Sequence, residues 1–414
     1  GSISGPFIWN LMMDVLLQRL ETHCVFSAYA DDLLLLVVGS SRLELETKGA
    51  QLMSIVGAWG AEAGVAVSTS KTAVMLLKGI LSRNRRPMVR FAGANLPYVD
   101  NYRYLGITVS ERLNYQRHIA SLRERLTGVV GALGRVLRVD WGVSPRDKRT
   151  IYAGLMMPCA LFGASVWYRT TDRGVTAKKR LIRCQRLILL GCLPVCRTVS
   201  TVALQVLAGA PPFDLAAKKL AIKYKLKRDY PLEEGDWLYG QDLADLTSEQ
   251  KMARLDECML SEWQLRWDGD VHGRVTYAFF PDVSFVYLRR DFRFTLRAGF
   301  FLTGHGSLNE FLHGRALSET PTCTCGAVSE DSLHVLCECP LYADLRDLDG
   351  LGVRNLHGVW DVSGVKETRE RMQLLDAFAD AVFTRRRNAQ HVQDGQDGLD
   401  GPDGQVRRGL PVPS

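Results

Sequence analysis

The chain has 414 residues, 46% apolar and 23% charged, the proportions of a folded globular protein, and its length calls for about two to four domains rather than one core. Lys and Arg outnumber Asp and Glu by 52 to 45, a formal net charge of +7 that is clustered rather than spread. The longest purely aliphatic run, Leu33 to Val38, is too short to span a bilayer, and no basic stretch followed by an apolar one opens the chain, so neither a membrane nor a secretory route is expected.

Residues 1–109 alternate helix and strand. Phe7 to Leu20 has helical periodicity, with Pro6 suited to a first turn. The run Val25-Phe26-Ser27-Ala28, the tetrapeptide Tyr29-Ala30-Asp31-Asp32 and the run Leu33 to Val38 predict a β-hairpin with both arms buried and two carboxylates at its tip. Leu43 to Ala63 reads as a helix closed by Gly64, Val65–Val67 and Ala73–Leu77 as strands, and Gly93-Ala94-Asn95 as a turn before a β segment over Tyr102–Ile107. The expected class is α+β, with an antiparallel sheet backed by helices in this first part.

Residues 110–230 read as helical: an Arg-rich amphipathic stretch Tyr115–Leu137, then Thr150–Trp167 and Lys178–Leu190. Cys159, Cys184, Cys192 and Cys196 have no metal-ligand companions nearby and suit core packing. Residues 231–388 are mixed and end in a helix over Glu367–Arg387, and 389–414, with Gly at 395, 398, 401 and 404, is expected to be disordered. The chain opens on Gly1 inside what reads as a motif, so a piece of a longer protein is expected.

Adjacent carboxylates repel and are costly to desolvate unless a cation neutralises them. Hard divalent cations take oxygen ligands, and a Mg²⁺ pair is the usual clamp for phosphoryl or nucleotidyl transfer; an ordinary hairpin with Asp in its turn is the plainer alternative. A second constellation runs Cys323-x-Cys325, eight residues, His334, four residues, Cys339. Three thiolates and an imidazole are the donor set of a structural Zn²⁺ site, Gly326 allows the tight turn, and Cys337 is a rival fourth ligand. Three basic blocks complete the inventory: Arg83–Arg86, Lys178 to Arg186, and Lys218 to Arg228. They suit either solvated helix faces or a phosphate backbone.

Gly1-Ser2-Ile3-Ser4-Gly5-Pro6 with Trp9-Asn10, then Tyr-Ala-Asp-Asp, then Lys71-Thr72, then Tyr104-Leu105-Gly106, resembles in order and spacing the second half of a reverse transcriptase palm. Lys178 to Leu193, Arg197-Thr198, Leu207-Ala208-Gly209, Thr303-Gly304-His305-Gly306 and the Cys/His cluster narrow this. They are similar to non-LTR retrotransposon polymerases, above all the type-1 elements that insert into arthropod ribosomal RNA genes, with jockey-like elements next.

The resemblance implies a partial palm over 1–109, a helical thumb and post-thumb over 110–230, and a nucleic-acid-binding region over 231–388 with a zinc knuckle at 323–339. The implied activity is RNA-directed DNA polymerisation in target-primed reverse transcription. Asp31 would be the principal Mg²⁺ ligand and Asp32 its weaker neighbour, with two Mg²⁺ ions acting on the primer 3′-hydroxyl and nucleotide phosphates. Lys71 would neutralise or protonate the leaving pyrophosphate. Ser4 and Gly5 would face the template and incoming nucleotide, Tyr29 and Ala30 the primer end, and Tyr104, Leu105 and Gly106 would place the primer. Pro340 after Cys339 matches the family pattern and favours Cys339 as fourth ligand. Template RNA, primer or target DNA and dNTPs are the implied partners, with a nuclear location at target DNA and a cytoplasmic ribonucleoprotein.

The family's first catalytic Asp precedes the Gly5 motif, and Asp14, within a helical pattern, does not replace it. The isolated chain is therefore expected to be inactive, and an endonuclease expected in this clade lies outside it. The alternatives are a non-catalytic RNA- or DNA-binding piece, or a carboxyl region contributing to an endonuclease. No Pro-Asp…Asp-x-Lys pattern after Cys339 supports the latter. His305 suits either a phosphate contact or a structural hydrogen bond, and neither His118 nor His313 has an evident partner.

Overall fold

Pro6 sits in the first turn of α1 (Gly5–Leu20), where its missing N–H costs nothing, and one face of the helix buries Met13, Leu16 and Leu20. The computed structural model describes residues 3–77, 85–133, 143–288, 293–346 and 365–397. It divides into two units, Gly1–Ser121 and Leu122–Ser414.

In the first unit, β1 (Val25–Tyr29) pairs antiparallel with β2 (Asp32–Leu36), Val25 opposite Leu36 and Tyr29 opposite Asp32. Helix α2 (Arg42–Ala63) starts where the Ser41 hydroxyl accepts the Glu44 N–H, and stops at Gly64 in the left-handed region at φ 66°. Two more hairpins follow, β3 (Arg90–Phe91) with β4 (Ala94–Asn95) and β5 (Asn101–Tyr104) with β6 (Ile107–Ser110). The core joins the buried face of α1 to Leu52, Val56 and Trp59 of α2, with Phe26, Leu33 and Leu35 of the first hairpin packed against it.

Two expectations are corrected here. The hairpin does not bury both arms: Val25 and Tyr29 are 68% and 67% exposed, because a ribbon packed on one side buries only alternate residues. Nor do the strands join into one sheet; among the described residues they form three separate two-stranded pairs. Val65 and Val67 pack sideways onto the α1–α2 core instead of forming a ladder. The 73–77 segment contributes only an isolated parallel bridge from Val74 to Tyr98.

The second unit is helical. Helix α3 (Gln116–Leu133) crosses the division and buries Leu122 and Leu126. Helix α4 (Pro145–Ile151) runs through a π-helical turn, Tyr152–Met156, into α5 (Met157–Leu161); Gly163, at φ 66°, then turns the chain into α6 (Ala164–Arg173). The apolar pattern over Thr150–Trp167 thus spans a broken helix rather than one rod. Met157 donates to Tyr152, one residue further back than in an α-helix, and Pro158 has no N–H to restore the register.

Then come α7 (Val175–Cys192), α8 (Thr201–Ala208), α9 (Phe213–Lys227), and α10 (Ser248–Gly269), which opens on a reciprocal Thr247–Gln250 capping box. Short helices α11 (Arg274–Phe279), α12 (Val283–Leu288), α13 (Leu296–Thr303), α14 (Asn309–His313) and α15 (Ala343–Arg346) lead to α16 (Val365–Asp397). Helix α16 runs ten residues' worth of sequence past Arg387, so 389–397 are helical; residues 398–414 lie outside the described residues. A large core gathers Trp263, Trp267, Phe279, Phe301 and Phe378. No single described helix is long and apolar enough to cross a membrane; the bent pair Asp147–Leu161 and Ala164–Arg173, at 78°, matches a broken span by length and composition alone.

Candidate functional sites

The carboxylate turn is built by two residues. Tyr29 and Asp32 close the ladder, leaving Ala30 and Asp31 as a two-residue loop with Ala30 in the left-handed region at φ 52°. That is an uncommon place for a residue with a Cβ, and a bond from α1 holds it: the Trp9 indole N–H donates to the Ala30 carbonyl at 2.9 Å. Asp31 and Asp32 are both exposed. Mg²⁺ is ordinarily held by one or two carboxylates together with substrate phosphates, so two adjacent oxygen-donor side chains on a fixed, open turn fit the protein's share of such a site.

The other residues implied by the sequence lie on separate elements of the first unit. Ser4 precedes α1 and Gly5 is its first residue, on the helix that also carries Trp9. Lys71 is exposed at the end of a turn over Ser68–Thr72, and its carbonyl accepts the Tyr102 hydroxyl at 2.6 Å, which ties that turn to β5. Among the described residues no hydrogen bond or ion pair joins the Lys71 side chain to Asp31 or Asp32. Leu105, at φ 46°, and Gly106, at φ 83°, form the tight turn between β5 and β6, so the β segment over 102–107 is a hairpin. The Tyr104 hydroxyl is buried without a hydrogen-bond partner among the described residues.

The second site is compact, with three of its four donors buried and Cys325 half-buried. One ligand atom each from Cys323, Cys325, His334 and Cys339 lies within 4.8 Å of all the others. Cys323 Sγ is 3.7 Å from Cys339 Sγ, and Cys325 Sγ is 3.2 Å from His334 Nε2, spacings suited to donors around one tetrahedral ion. The turn that brings the first two thiols together places Gly326 at φ 95°, with its N–H on the Cys323 carbonyl. A π-helical turn, His334–Glu338, then carries the chain from the imidazole to Cys339. His334 Nδ1 sits 3.6 Å from the Glu338 carboxylate, leaving Nε2 to face the thiols. Burial pushes the Cys323 thiol up to about 12, whereas the Ala327 N–H, joined by the neighbouring thiols and His334, lowers Cys325 to about 7. Cys337 stands outside the set, half-buried against the core.

The cluster is not a separable knuckle. Cys323, Cys339, Val335 and Leu336 belong to the same core as α10, α13 and α16. Its surroundings include residues that the sequence reading missed. The buried Glu330 carboxylate accepts the Asn309 N–H at 2.9 Å and pairs with Arg386 of α16, while Arg346 donates to the Val335 and Cys339 carbonyls. A triple-Arg run at 385–387, following the mostly apolar stretch 377–383 of α16, was the available signal; its partners, 41 and 56 residues away, were not legible.

The basic blocks are in part paired within the fold. Lys178 pairs with Asp214, Lys218 with Asp172, Lys219 with Asp256, and Lys225 with Glu233 and Asp236. Arg86 pairs with Asp100; Arg83 and Asn84 lie outside the described residues. The histidines also find partners: His118 Nδ1 accepts the Thr108 N–H, and His313 Nδ1 lies 3.2 Å from the Ser318 carbonyl.

Comparison with known sequences places these sites in context. Residues 1–109 match the family described as reverse transcriptase (RNA-dependent DNA polymerase). The 115 kDa protein in type-1 retrotransposable element R1DM of Drosophila melanogaster is 66% identical over 94% of the chain. A Pol polyprotein from type-1 element R1 of Bradysia coprophila is 42% identical over 93%. The chain spans 38% of the length of each of these two relatives. It spans 96% of a Pol polyprotein from element R1 3 of Nasonia vitripennis, at 40% identity over 87% of the chain. The polymerase from mobile element jockey of Drosophila melanogaster is 24% identical over 44% of the chain. No solved structure matches.

Proposed function

The chain belongs to the Pol polyproteins of type-1 R1 retrotransposable elements, and on that premise we propose that it carries part of the catalytic centre of an RNA-directed DNA polymerase acting in target-primed reverse transcription. The observation that carries this is the Asp31–Asp32 turn, exposed and pinned by Trp9, inside the segment that matches the reverse transcriptase family. Residues 1–109 act as part of a palm and the helices that follow as a thumb, with template RNA, primer DNA and dNTPs as partners in the nucleus at the target DNA.

Asp31 and Asp32 would hold Mg²⁺, which supplies charge neutralisation at the reacting phosphate and primer hydroxyl. The chain's own part is positional. The short loop keeps both carboxylates at the open end of the hairpin, and Trp9 fixes that end against α1, the helix that begins at Gly5 after Ser4. Tyr102 fixes the backbone of the Lys71 turn, and the Leu105–Gly106 turn projects from the same hairpin as Tyr102. The Cys/His cluster would hold one Zn²⁺ as a structural ion, since three thiols and an imidazole leave no open position.

Primer extension by the complete polyprotein tests the reading. Asp31→Asn should abolish Mg²⁺-dependent DNA synthesis on an RNA template, and Asp32→Asn should reduce it less. Near-normal extension by a folded Asp31→Asn protein would remove the metal site from this turn.

A further inference from the structure

Gly304 and Gly306 set the loop that presents His305. They take φ values of 69° and 153°, and a Cβ on Gly306 would lie 2.3 Å from Cγ of Phe300. So fixed, His305 meets the 193–200 segment and α14 within the second unit. Its Nδ1 is 2.8 Å from Thr198 Oγ1, its carbonyl 3.7 Å from Cys196 Sγ, and its ring centroid 4.7 Å from that of Phe311. The Arg315 guanidinium lies over the same Phe311 ring, 5.5 Å from its centroid. Arg186 approaches from α7 and donates to the Arg197 and Val199 carbonyls, each at 2.5 Å.

The charge around this loop is unbalanced. Four lysines of the basic blocks have carboxylate partners, but among the described residues Arg183, Arg186 and Arg315 form no ion pair. Burial first, then the charges of Arg315 and Arg186, hold His305 below the usual histidine range, so its imidazole is neutral at neutral pH. A neutral imidazole carries one ring proton; in the tautomer in which the Thr198 hydroxyl donates to Nδ1, that proton is on Nε2, for which no protein acceptor stands among the described residues. Exposed Lys179, Arg180 and Arg183 continue the positive charge along α7, spanning with Arg186 about 10 Å of helix axis. Guanidiniums without carboxylates, beside a neutral N–H donor, are the complement of a phosphodiester.

We propose that His305, Arg315 and the exposed basic face of α7 form a track for a nucleic-acid backbone, with one phosphate fixed at His305 and its neighbours held by charge. The track rests on the polymerase reading only for the nature of the polymer.

Binding of a short single-stranded RNA to the 414-residue chain, followed by fluorescence anisotropy across a salt series, tests it. Arg315→Gln and Arg183→Gln should each weaken binding several-fold at low salt and lower the slope of log affinity against log salt by about 0.7. His305→Gln should weaken binding at every salt and leave the slope unchanged, because a neutral donor releases no counterion. Lys227→Gln, an exposed cation of α9, should change affinity less than twofold. Equal losses from Lys227→Gln and Arg315→Gln would mean diffuse attraction and overturn the track, as would unchanged binding in Arg315→Gln and His305→Gln, or no RNA binding by the wild-type chain. Displacement of the RNA by an equal concentration of inorganic phosphate would overturn it too, pointing to an isolated anion pocket. If His305→Gln fails to fold by circular dichroism, the exposed Arg315→Gln decides. Primer extension by Asp31→Asn is independent of these readouts, so failure of the track and failure of the polymerase reading give different results.

Discussion

The two units place their chemistry in opposite surroundings. In the first, Asp31 and Asp32 stand on an exposed turn above a modest core of two helices and one ribbon face, and Val25, Tyr29 and Leu36 on the outer face remain in solvent. In the second, the Cys/His cluster is part of the core itself, and a carboxylate beside it, Glu330, is 1% exposed. A side chain on an open turn can be specialised for chemistry with little consequence for folding. A ligand set inside a core cannot be changed without changing the fold around it.

The largest effect should come from the buried cluster. Cys339→Ser removes one of four converging donors and leaves a polar hydroxyl in the core, so loss of metal and at least about 3 kcal/mol of stability are expected in the second unit. Cys337→Ser, outside the ligand set, should retain full metal content and cost about 1 kcal/mol. Metal analysis and thermal unfolding of both variants decide this. Equal metal affinity, or a larger loss with Cys337→Ser, would transfer the fourth ligand and break the contrast drawn for this site. A metal-free wild-type chain with the cluster intact would show that packing alone holds it.

How much of this was legible in the sequence depends on range. The hairpin and its turn could be read because strand alternation and turn chemistry are local, and the four ligands because 323–339 is short enough for spacing to imply convergence. The half-exposed state of the hairpin was not legible, since apolar runs look alike whether one face or two are covered. The break at Phe162–Gly163 was hidden for a related reason: the apolar period continues through it, and only the backbone reveals the left-handed glycine. Hidden most completely were the long-range pairs. Lysines that read as a surface for phosphate are in large part neutralised by Asp172, Asp214, Asp236 and Asp256.

One of those pairs sharpens the comparison through pH. Burial raises the Asp236 carboxyl, but hydrogen bonds from Tyr168, the Glu233 N–H and Lys225, with the charge of Arg169, outweigh it and leave the group below the usual carboxylate range. Because the folded value is depressed, its stabilisation is present in full above the unfolded value near ~3.9 and is lost as pH falls through the folded value. The second unit should therefore weaken below about pH 4. Asp236→Ala removes the buried one of the two carboxylates that Arg169 and Lys225 share, leaving only the exposed Glu233, and should cost about 3 kcal/mol at neutral pH. It should also flatten the acid dependence of the melting temperature, measured between pH 7 and 3. An unchanged acid slope in Asp236→Ala would place the acid sensitivity elsewhere.

The smallest effect expected is on the stability of the first unit when the carboxylate turn is altered. Asp31 makes no hydrogen bond or ion pair among the described residues, and the left-handed backbone beside it is held by Trp9 acting on Ala30. Asn tolerates turn geometry as well as Asp does, and the change removes a like charge beside Asp32, so the folded state loses nothing it was using. Asp31→Asn should shift the unfolding midpoint by no more than about 3 °C. Trp9→Phe is the matched control, since it removes the bond to the turn and spares both carboxylates, and it should lower the midpoint further than Asp31→Asn does. The ordering matters more than either value. A turn that loses more stability from Asp31→Asn than from Trp9→Phe would be using its carboxylate to fold, and Asp31 would then belong with the buried ligands of the second unit rather than in contrast to them.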